Sequence, residues 1–171
     1  MALNYAKNLV HKPNELSLLV LRIIIGLMWL SEGLIKLIDR NSLPNDDFHG
    51  LLIQIKVMAD TNPFSFVSSL INTYLVPNYV LLAWIVILLE IGLAISVIFG
   101  VFSRIGSVVG IIYALILYVG TLGWPDEWIW SYFMIVMAML VIFISSFETR
   151  IGLDSYLYNK FKDNKLISLL L

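Results

Sequence analysis

Long apolar stretches separated by short polar segments dominate the pattern of residues along the chain. A helix that spans a bilayer needs about 20 mostly apolar residues. Four stretches meet this condition, at about 16–38, 79–99, 105–122 and 128–147. Lipid offers no partners for backbone amide and carbonyl groups, and the strands of a membrane barrel would alternate in polarity, which these stretches do not. The pattern therefore predicts an all-α integral membrane protein built as a bundle of four transmembrane helices.

The segment between the first two stretches, residues 39–78, is too long to be a plain loop. After a turn-rich run over 41–47, apolar residues recur at helical spacing: Phe48, Leu51, Leu52, Ile55 and Met58. A second short helix is expected after Asn62 and Pro63, because proline is well placed at a helix start. We therefore expect short outer-surface helices between helices 1 and 2. They either lie on the membrane interface or form a lid over a site.

The remaining connections are short, and short links make neighbouring helices antiparallel. The second and third stretches are joined by 100–104, and the third and fourth by 123–126. After the last stretch, apolar residues share one face of a predicted helix over 153–171 with lysines nearby. This arrangement is typical of an amphipathic helix that lies on a membrane surface.

Basic residues are divided unequally between the two sides that four spans would define. One side holds seven: Lys7, Lys12, Arg104, Arg150, Lys160, Lys162 and Lys165. The other side holds only Arg40 and Lys56, and it collects most of the acidic residues outside the spans: Asp39, Asp46, Asp47, Asp60, Asp126 and Glu127. Because lysine and arginine accumulate in cytoplasmic loops, we expect both termini in the cytoplasm of a multi-pass protein of the cell (plasma) membrane.

The overall composition narrows the possible chemistry. Sixty per cent of the residues are hydrophobic and only 13% are charged, whereas a soluble domain carries roughly a quarter charged residues. A net charge of −1 without any block of like charges gives no reason to expect a nucleic-acid partner. The absence of cysteine excludes disulfides, thiol nucleophiles, cysteine-held iron–sulfur clusters and covalent c-type haem. His11 and His49 fall on opposite sides of the membrane, so we expect no haem or metal on this chain.

Charged residues inside the spans are concentrated in the first two helices. Each costs about 2.5 kcal/mol or more near the centre of a bilayer, so such residues usually face the bundle and have a partner. On helix 1, steps of four, three, four and three place one set on a single stripe: Arg22, Gly26, Trp29, Gly33 and Lys36. Helix 2 has a similar stripe: Val86, Glu90, Leu93, Val97 and Gly100. The glycines allow a close helix neighbour, so the charged stripe is expected to face protein.

The rise of a helix places Arg22 roughly 9 Å and Glu90 roughly 13 Å from the inner ends of their helices. We therefore expect them to face each other, either as a structural ion pair or as a proton-handling or quinone-binding pair. Lys36 lies near the outer end, one turn from Glu32, and either snorkels to the interface or binds an anion.

The outer boundary is rich in aromatic residues: Trp124, Trp128, Trp130 and Tyr132. They form either an interfacial belt or a stacking wall for a quinone ring. Glu32, Lys36 and Trp124 are expected to line a pocket that opens outward beneath the 39–78 segment.

Three short motifs occur in a fixed order along the chain. An R-x3-G-x6-G-x2-K pattern is formed by Arg22, Gly26, Gly33 and Lys36; an E-x-G-L…G-x3-R pattern is formed by Glu90, Gly92, Leu93, Gly100 and Arg104; and Gly152, Leu153 and Asp154 follow the last span. Over roughly residues 16–156 this order resembles the DoxX/DoxD family of four-helix membrane proteins. The long first link and the mass of 19.4 kDa resemble the DoxD branch. The last motif, within Arg150-Ile-Gly-Leu-Asp, matches the family pattern only in part.

The resemblance implies a single DoxD-like transmembrane domain over 1–171. It also implies the larger membrane subunit of an archaeal thiosulfate:quinone oxidoreductase. Such an enzyme couples two thiosulfates into tetrathionate and passes two electrons to a membrane quinone, for example of the caldariella type. The implied partners are a smaller DoxA-like membrane-associated subunit and the subunits of a terminal quinol oxidase. The alternative is a non-catalytic structural or assembly subunit of that oxidase. A small-solute transporter is a third hypothesis, but the repeats and broken helices typical of transporters are not visible.

If the chain is such a subunit, six of its residues are candidates for the reaction. Glu90 and Glu32 are the catalytic candidates that deliver protons to the quinone. Lys36 and Trp124 are expected to bind thiosulfate, and Arg22 and Trp29 to bind the quinone.

Overall fold

A computed structural model of the chain describes residues 13–39, 48–125, 127–148, 152–154, 156 and 160. These residues form six α-helices and one π-helical turn, and no strand. The elements are α1 (Pro13–Asp39), α2 (His49–Thr61), α3 (Ser65–Leu70), the π-helical turn (Ile71–Leu75), α4 (Tyr79–Phe99), α5 (Ser103–Gly120) and α6 (Trp130–Glu148). The predicted all-α fold and the short helices between the first two long ones are confirmed.

Three of the long helices contain segments that are long and apolar enough to cross a membrane. Among the described residues these are Glu15–Ile38, Tyr79–Phe99 and Ser103–Gly120, whereas α6 contributes a shorter apolar segment, Trp130–Ser146. The chain is therefore a membrane protein of the helical class.

The long helices form two antiparallel pairs. α1 packs along α4, and α5 packs along α6. The glycines of the α1 stripe permit the first contact: a Cβ atom at Gly33 would lie 3.1 Å from Ile91 Cγ1, and one at Gly26 would collide with the side chain of Ile98. The prediction that this stripe faces another helix is confirmed, because Arg22, Gly26, Trp29 and Gly33 are all buried.

One end of the bundle is covered by residues 48–78, which we call the cap. The side-chain amide of Asn62 donates hydrogen bonds to the last carbonyls of α5, at 2.8 Å from Val119 O and 3.1 Å from Gly120 O. Phe48 is buried against α4, where its ring meets the edge of Trp84 at a centroid distance of 5.6 Å. The cap is thus fixed to both helix pairs and bridges the space between them.

The opposite end is held by three residues that we call the basal cluster: Arg22, Ser103 and Asp154. The carboxylate of Asp154 accepts hydrogen bonds from the backbone N–H groups of Phe102 (2.7 Å) and Ser103 (2.9 Å), which begin α5 and have no acceptor within their own helix. Arg22 donates through Nη2 to Ser103 Oγ at 3.0 Å and through Nε to Val97 O at 2.9 Å. Residues from α1, α4, α5 and the segment after α6 therefore meet at one point.

Several predictions fall on residues outside the described ranges. They concern Lys7, His11, Lys12, Arg40, the turn over 41–47, Asp126, Arg150, Lys162, Lys165 and most of the helix expected over 153–171.

Candidate functional site

A cavity of about 1080 Å³ lies beneath the cap, between the two helix pairs. Its volume is slightly above the range usual for small-molecule sites, about 300–1,000 Å³. Most of its lining is apolar. It also includes five of the residues that the sequence analysis singled out: Trp29, Glu32, Lys36, Glu90 and Trp124. The structure thus brings five of the six predicted site residues to one cavity, roofed by residues of α2, α3 and the π-helical turn.

Lys36 is the centre of a polar network in the cavity wall. Its Nζ atom lies 3.0 Å from both carboxylate oxygens of Glu90 and 3.3 Å from Glu32 Oε2. The hydroxyl of Tyr113 on α5 donates to Glu90 Oε1 at 2.9 Å. Glu90 is only 2% exposed, whereas 52% of the Glu32 side chain is exposed. The network therefore connects an exposed carboxylate to a buried one through a single ammonium group.

The prediction that Arg22 faces Glu90 is wrong. Arg22 contacts Val97 O, which lies seven residues beyond Glu90 on α4, or about 10 Å along the helix axis. The reason is the direction of helical side chains, which lean toward the N terminus of their own helix. On α1 this lean carries the Arg22 guanidinium to the basal cluster and carries Lys36 inward to Glu90. Arg22 consequently lies outside the cavity, and the ion pair forms between Lys36 and Glu90 instead.

Aromatic side chains complete the wall around the network. The ring of Trp29 packs against Tyr113 with a centroid distance of 5.4 Å and a tilt of 35°. Trp29 Nε1 has no hydrogen-bond acceptor among the described residues, although buried donors are nearly always paired. Nearer the cap, the hydroxyl of Tyr132 donates to Glu127 Oε1 at 2.8 Å. An acceptor supplied by a ligand would satisfy the indole N–H of Trp29.

The charges that line the cavity do not balance. In the part of the chain that the structure describes, three carboxylates line it, those of Glu32, Glu90 and Glu127, and Lys36 is the one cation. With all four groups ionised, the cavity carries an excess of two negative charges. An anion entering it would meet repulsion unless protons accompanied it, whereas a neutral ligand would not.

The sequence analysis missed Tyr113, because it considered charged residues inside the spans and these are concentrated in the first two helices. A signal was present: Gly106, Gly110 and Tyr113 recur at steps of four and three, the spacing that marks the stripe on α1, and all three are buried. This stripe therefore marks the face of α5 from which Tyr113 reaches Glu90.

The fold and the site together define a helical integral membrane protein with an ionisable network buried beside a capped cavity. Among the described residues, no group of three or more His, Cys, Asp or Glu side chains is placed to hold a metal ion.

Comparison with known proteins identifies the family. The family model described as TQO small subunit DoxD, where TQO is thiosulfate:quinone oxidoreductase, matches residues 17–171, and the chain belongs to the DoxD family. Comparisons with curated proteins and with solved structures find no match. The family description corrects the expectation of a larger subunit, since it names DoxD as the small one. The single domain over 1–171 stays a prediction.

Proposed function

We propose that this chain is the quinone-reducing membrane subunit of a thiosulfate:quinone oxidoreductase, and that the capped cavity is its quinone site. Two thiosulfate ions release two electrons as they join into tetrathionate. The quinone takes up these electrons and two protons and becomes a quinol. The proposed topology has four spans in the plasma membrane, both termini in the cytoplasm and the cap outside, as the distribution of lysine and arginine favours.

The observation that carries the proposal is the network of Lys36, Glu90 and Tyr113 at the wall of a large apolar cavity. Lys36 Nζ is a charged hydrogen-bond donor that could bind a quinone carbonyl oxygen, and such a bond strengthens as negative charge develops on reduction. The Tyr113 hydroxyl donates its single hydrogen to Glu90 Oε1 and so holds that carboxylate beside Lys36. Glu32 is exposed and lies within 3.3 Å of Lys36 Nζ. We propose that Glu32 exchanges protons with water and that Glu90 passes them to the reduced ring.

The same network supports a different role for Lys36 from the thiosulfate binding that the resemblance implied. Its ammonium group contacts both carboxylate oxygens of Glu90 and, on Glu32, one carboxylate oxygen and the backbone carbonyl, so the site offers a dianion little net positive charge. We therefore propose that Lys36 acts on the quinone and that thiosulfate is oxidised outside this cavity, at a partner subunit. Trp124 then belongs to the cavity wall near the quinone, and Arg22 has a structural role in the basal cluster.

A non-catalytic assembly subunit is the competing function. It would need the ion pair to hold the helices together, but it would not need a ligand-sized cavity beside that pair. The presence of the cavity favours the enzyme subunit.

The test uses the complex with its partner subunit in membranes. We compare Lys36→Gln with Lys56→Gln, which removes an exposed lysine from α2 that does not line the cavity. Loss of one charge-assisted hydrogen bond costs about 1.5–3 kcal/mol, so we expect the quinone KM of Lys36→Gln to rise at least tenfold while the thiosulfate KM stays unchanged.

Two results would contradict the assignment. A rise in the thiosulfate KM alone would make Lys36 the anion site. Unchanged kinetics for both substrates would show that the cavity takes no part in the reaction.

A further inference from the structure

The wall of the cavity differs in chemistry from one side to the other. The side formed by α6 and the turn before it presents Glu127, Ser131 and Tyr132. The side between α4 and α5 is apolar where it approaches the cap, and is formed by Leu82 and Val86 on α4 and by Ile112 and Ile116 on α5. The cavity is therefore suited to a ligand that is polar at one end and apolar at the other.

The apolar side coincides with a separation of two helices. α4 and α5 are held together near their short connection, where Gly106 packs against Ser96 and Ser96 Oγ donates to Val101 O at 2.8 Å. Beyond this point each helix follows a different partner, α4 along α1 and α5 along α6. Ile112 is 53% exposed and Ile116 is 62% exposed, although both line the cavity. We call the space between α4 and α5 at these two residues the gap, and the residues of α5 that border it are apolar and exposed.

A groove continues from this gap along the same two helices. It has a volume of about 350 Å³ and lies nearer the α4–α5 connection, lined by Leu89, Gly92, Ile95, Ile105 and Val109 among others. A Cβ atom added at Gly92 would meet nothing within 4 Å, so this glycine leaves open space in the groove. An apolar chain that left the cavity through the gap could lie in this groove.

We propose that the gap between α4 and α5, below the π-helical turn, is the portal through which the isoprenoid tail of the membrane quinone leaves the cavity, and that the groove at Gly92 receives the tail. This inference rests on the proposed function. The ring sits beside Lys36, Glu90 and Tyr113, and the tail passes Ile112 and Ile116 into the bilayer. The polar side of the cavity, toward Glu127 and Ser131, is unfavourable for the tail, so the orientation of the quinone is fixed.

The experiment compares two quinones that share a ring and differ in the tail. Menadione has no prenyl tail, and the second probe carries the same ring with a tail of several isoprene units. Binding to the full chain in nanodiscs is measured with radiolabelled quinones, because two of the variants add a tryptophan and would alter a fluorescence signal. Ile116→Trp narrows the portal and Gly92→Leu fills the groove. Leu88→Trp is the matched control, because Leu88 is 68% exposed and lines neither space.

We expect both portal variants to weaken binding of the long-tailed quinone at least fivefold and to leave menadione binding unchanged, while Leu88→Trp changes neither. Equal effects on the two probes, or no effect on the long-tailed one, would overturn the portal. A change only in co-purifying phospholipid would assign the groove to a lipid acyl chain and would also overturn it. If the wild-type chain binds neither quinone, the proposed function fails, and the portal fails with it.

Discussion

Lys36 illustrates how one side chain decides the chemistry of the cavity. It lies near the C-terminal end of α1, where a lysine could reach the interface, yet only 17% of its side chain is exposed. Its ammonium group instead reaches Glu90, because a helical side chain leans toward the N terminus of its helix. Glu90 and Lys36 thus form an ion pair, and each charge has an oppositely charged partner in surroundings that are otherwise apolar.

Replacing Glu90 by glutamine tests this pairing. Glu90→Gln leaves Lys36 with Glu32 as its remaining acidic partner in the network and removes the proposed proton donor to the quinone. We expect the rate of thiosulfate-dependent quinone reduction to fall more than tenfold in membranes that contain normal amounts of the protein. The exposed Asp60→Asn serves as the control. A stable Glu90→Gln protein with full activity would show that Glu90 is neither the donor nor an essential partner.

Tyr113 offers a more selective test, because phenylalanine keeps the ring against Trp29 and removes only the hydroxyl. The hydrogen bond that is lost goes to a carboxylate and is worth about 1.5–3 kcal/mol, so the Tm in detergent should fall by only several degrees. We expect kcat for quinone reduction to fall in Tyr113→Phe and to remain normal in Tyr118→Phe, whose residue does not line the cavity. Equal kcat values for the two variants would exclude the Tyr113 hydroxyl from the reaction.

At the level of single residues, the sequence predicted which faces of α1 and α4 are buried, but it did not predict which charged side chains contact each other. Residue spacing fixes the angle of a side chain around the helix axis. Spacing also gives the depth of each Cα atom in the membrane. The charged ends of Arg22 and Lys36, however, lie about one helical turn or more from their own Cα atoms. The expectation that Arg22 faces Glu90 failed for this reason.

Among the elements, the long helices were the most predictable, because apolar length alone reveals them. The predicted 79–99 helix matches Tyr79–Phe99, and the other boundaries agree within three residues. The π-helical turn was not predicted, since a single turn leaves no periodic signal. The role of Asp154 was also missed, because its partners lie at the start of a helix that is distant in sequence.

Removing the carboxylate of Asp154 should lower the stability of the helix bundle and leave the kinetics of quinone reduction unchanged. Asp154→Ala leaves the N–H groups of Phe102 and Ser103 without their acceptor, and loss of such a cap costs about 0.5–2 kcal/mol. We expect a lower Tm in detergent and an unchanged quinone KM. Asp60→Ala, on the exposed side of α2, is the control. A Tm equal to that of the wild type would show that the basal cluster contributes nothing to stability.

The orientation of the whole molecule follows from its charges, and the absence of cysteine makes it easy to test. Thr73→Cys introduces a thiol in the cap, and Tyr156→Cys introduces one near the basal cluster, both at exposed positions. We expect a membrane-impermeant maleimide to label Thr73→Cys in intact cells and to label Tyr156→Cys only after permeabilisation. Labelling of both from outside, or the reverse order, would overturn the proposed topology.

At the scale of the molecule, the sequence predicted a pocket under the outer segment but not its shape. The cavity arises because α1 pairs with α4 and α5 pairs with α6, which leaves a space between the pairs. Hydrophobic patterns do not report which helices pair most closely, and the glycine stripes do so only in part: Gly33 meets Ile91 on α4, and Gly110 meets Met139 on α6.

The basal cluster has a consequence for the order in which the protein is made. Arg22 is synthesised with the first long helix, but Asp154 leaves the ribosome only after the last one. Until then, the N–H groups at the start of α5 lack the acceptor that Asp154 supplies, and the guanidinium of Arg22 lacks the favourable charge of that carboxylate. A nascent chain truncated before Asp154 would thus contain all four long helices of the described structure but would not form the basal cluster. The emergence of Asp154 is the earliest moment at which a cell could distinguish a copy with a formed basal cluster from a copy without one.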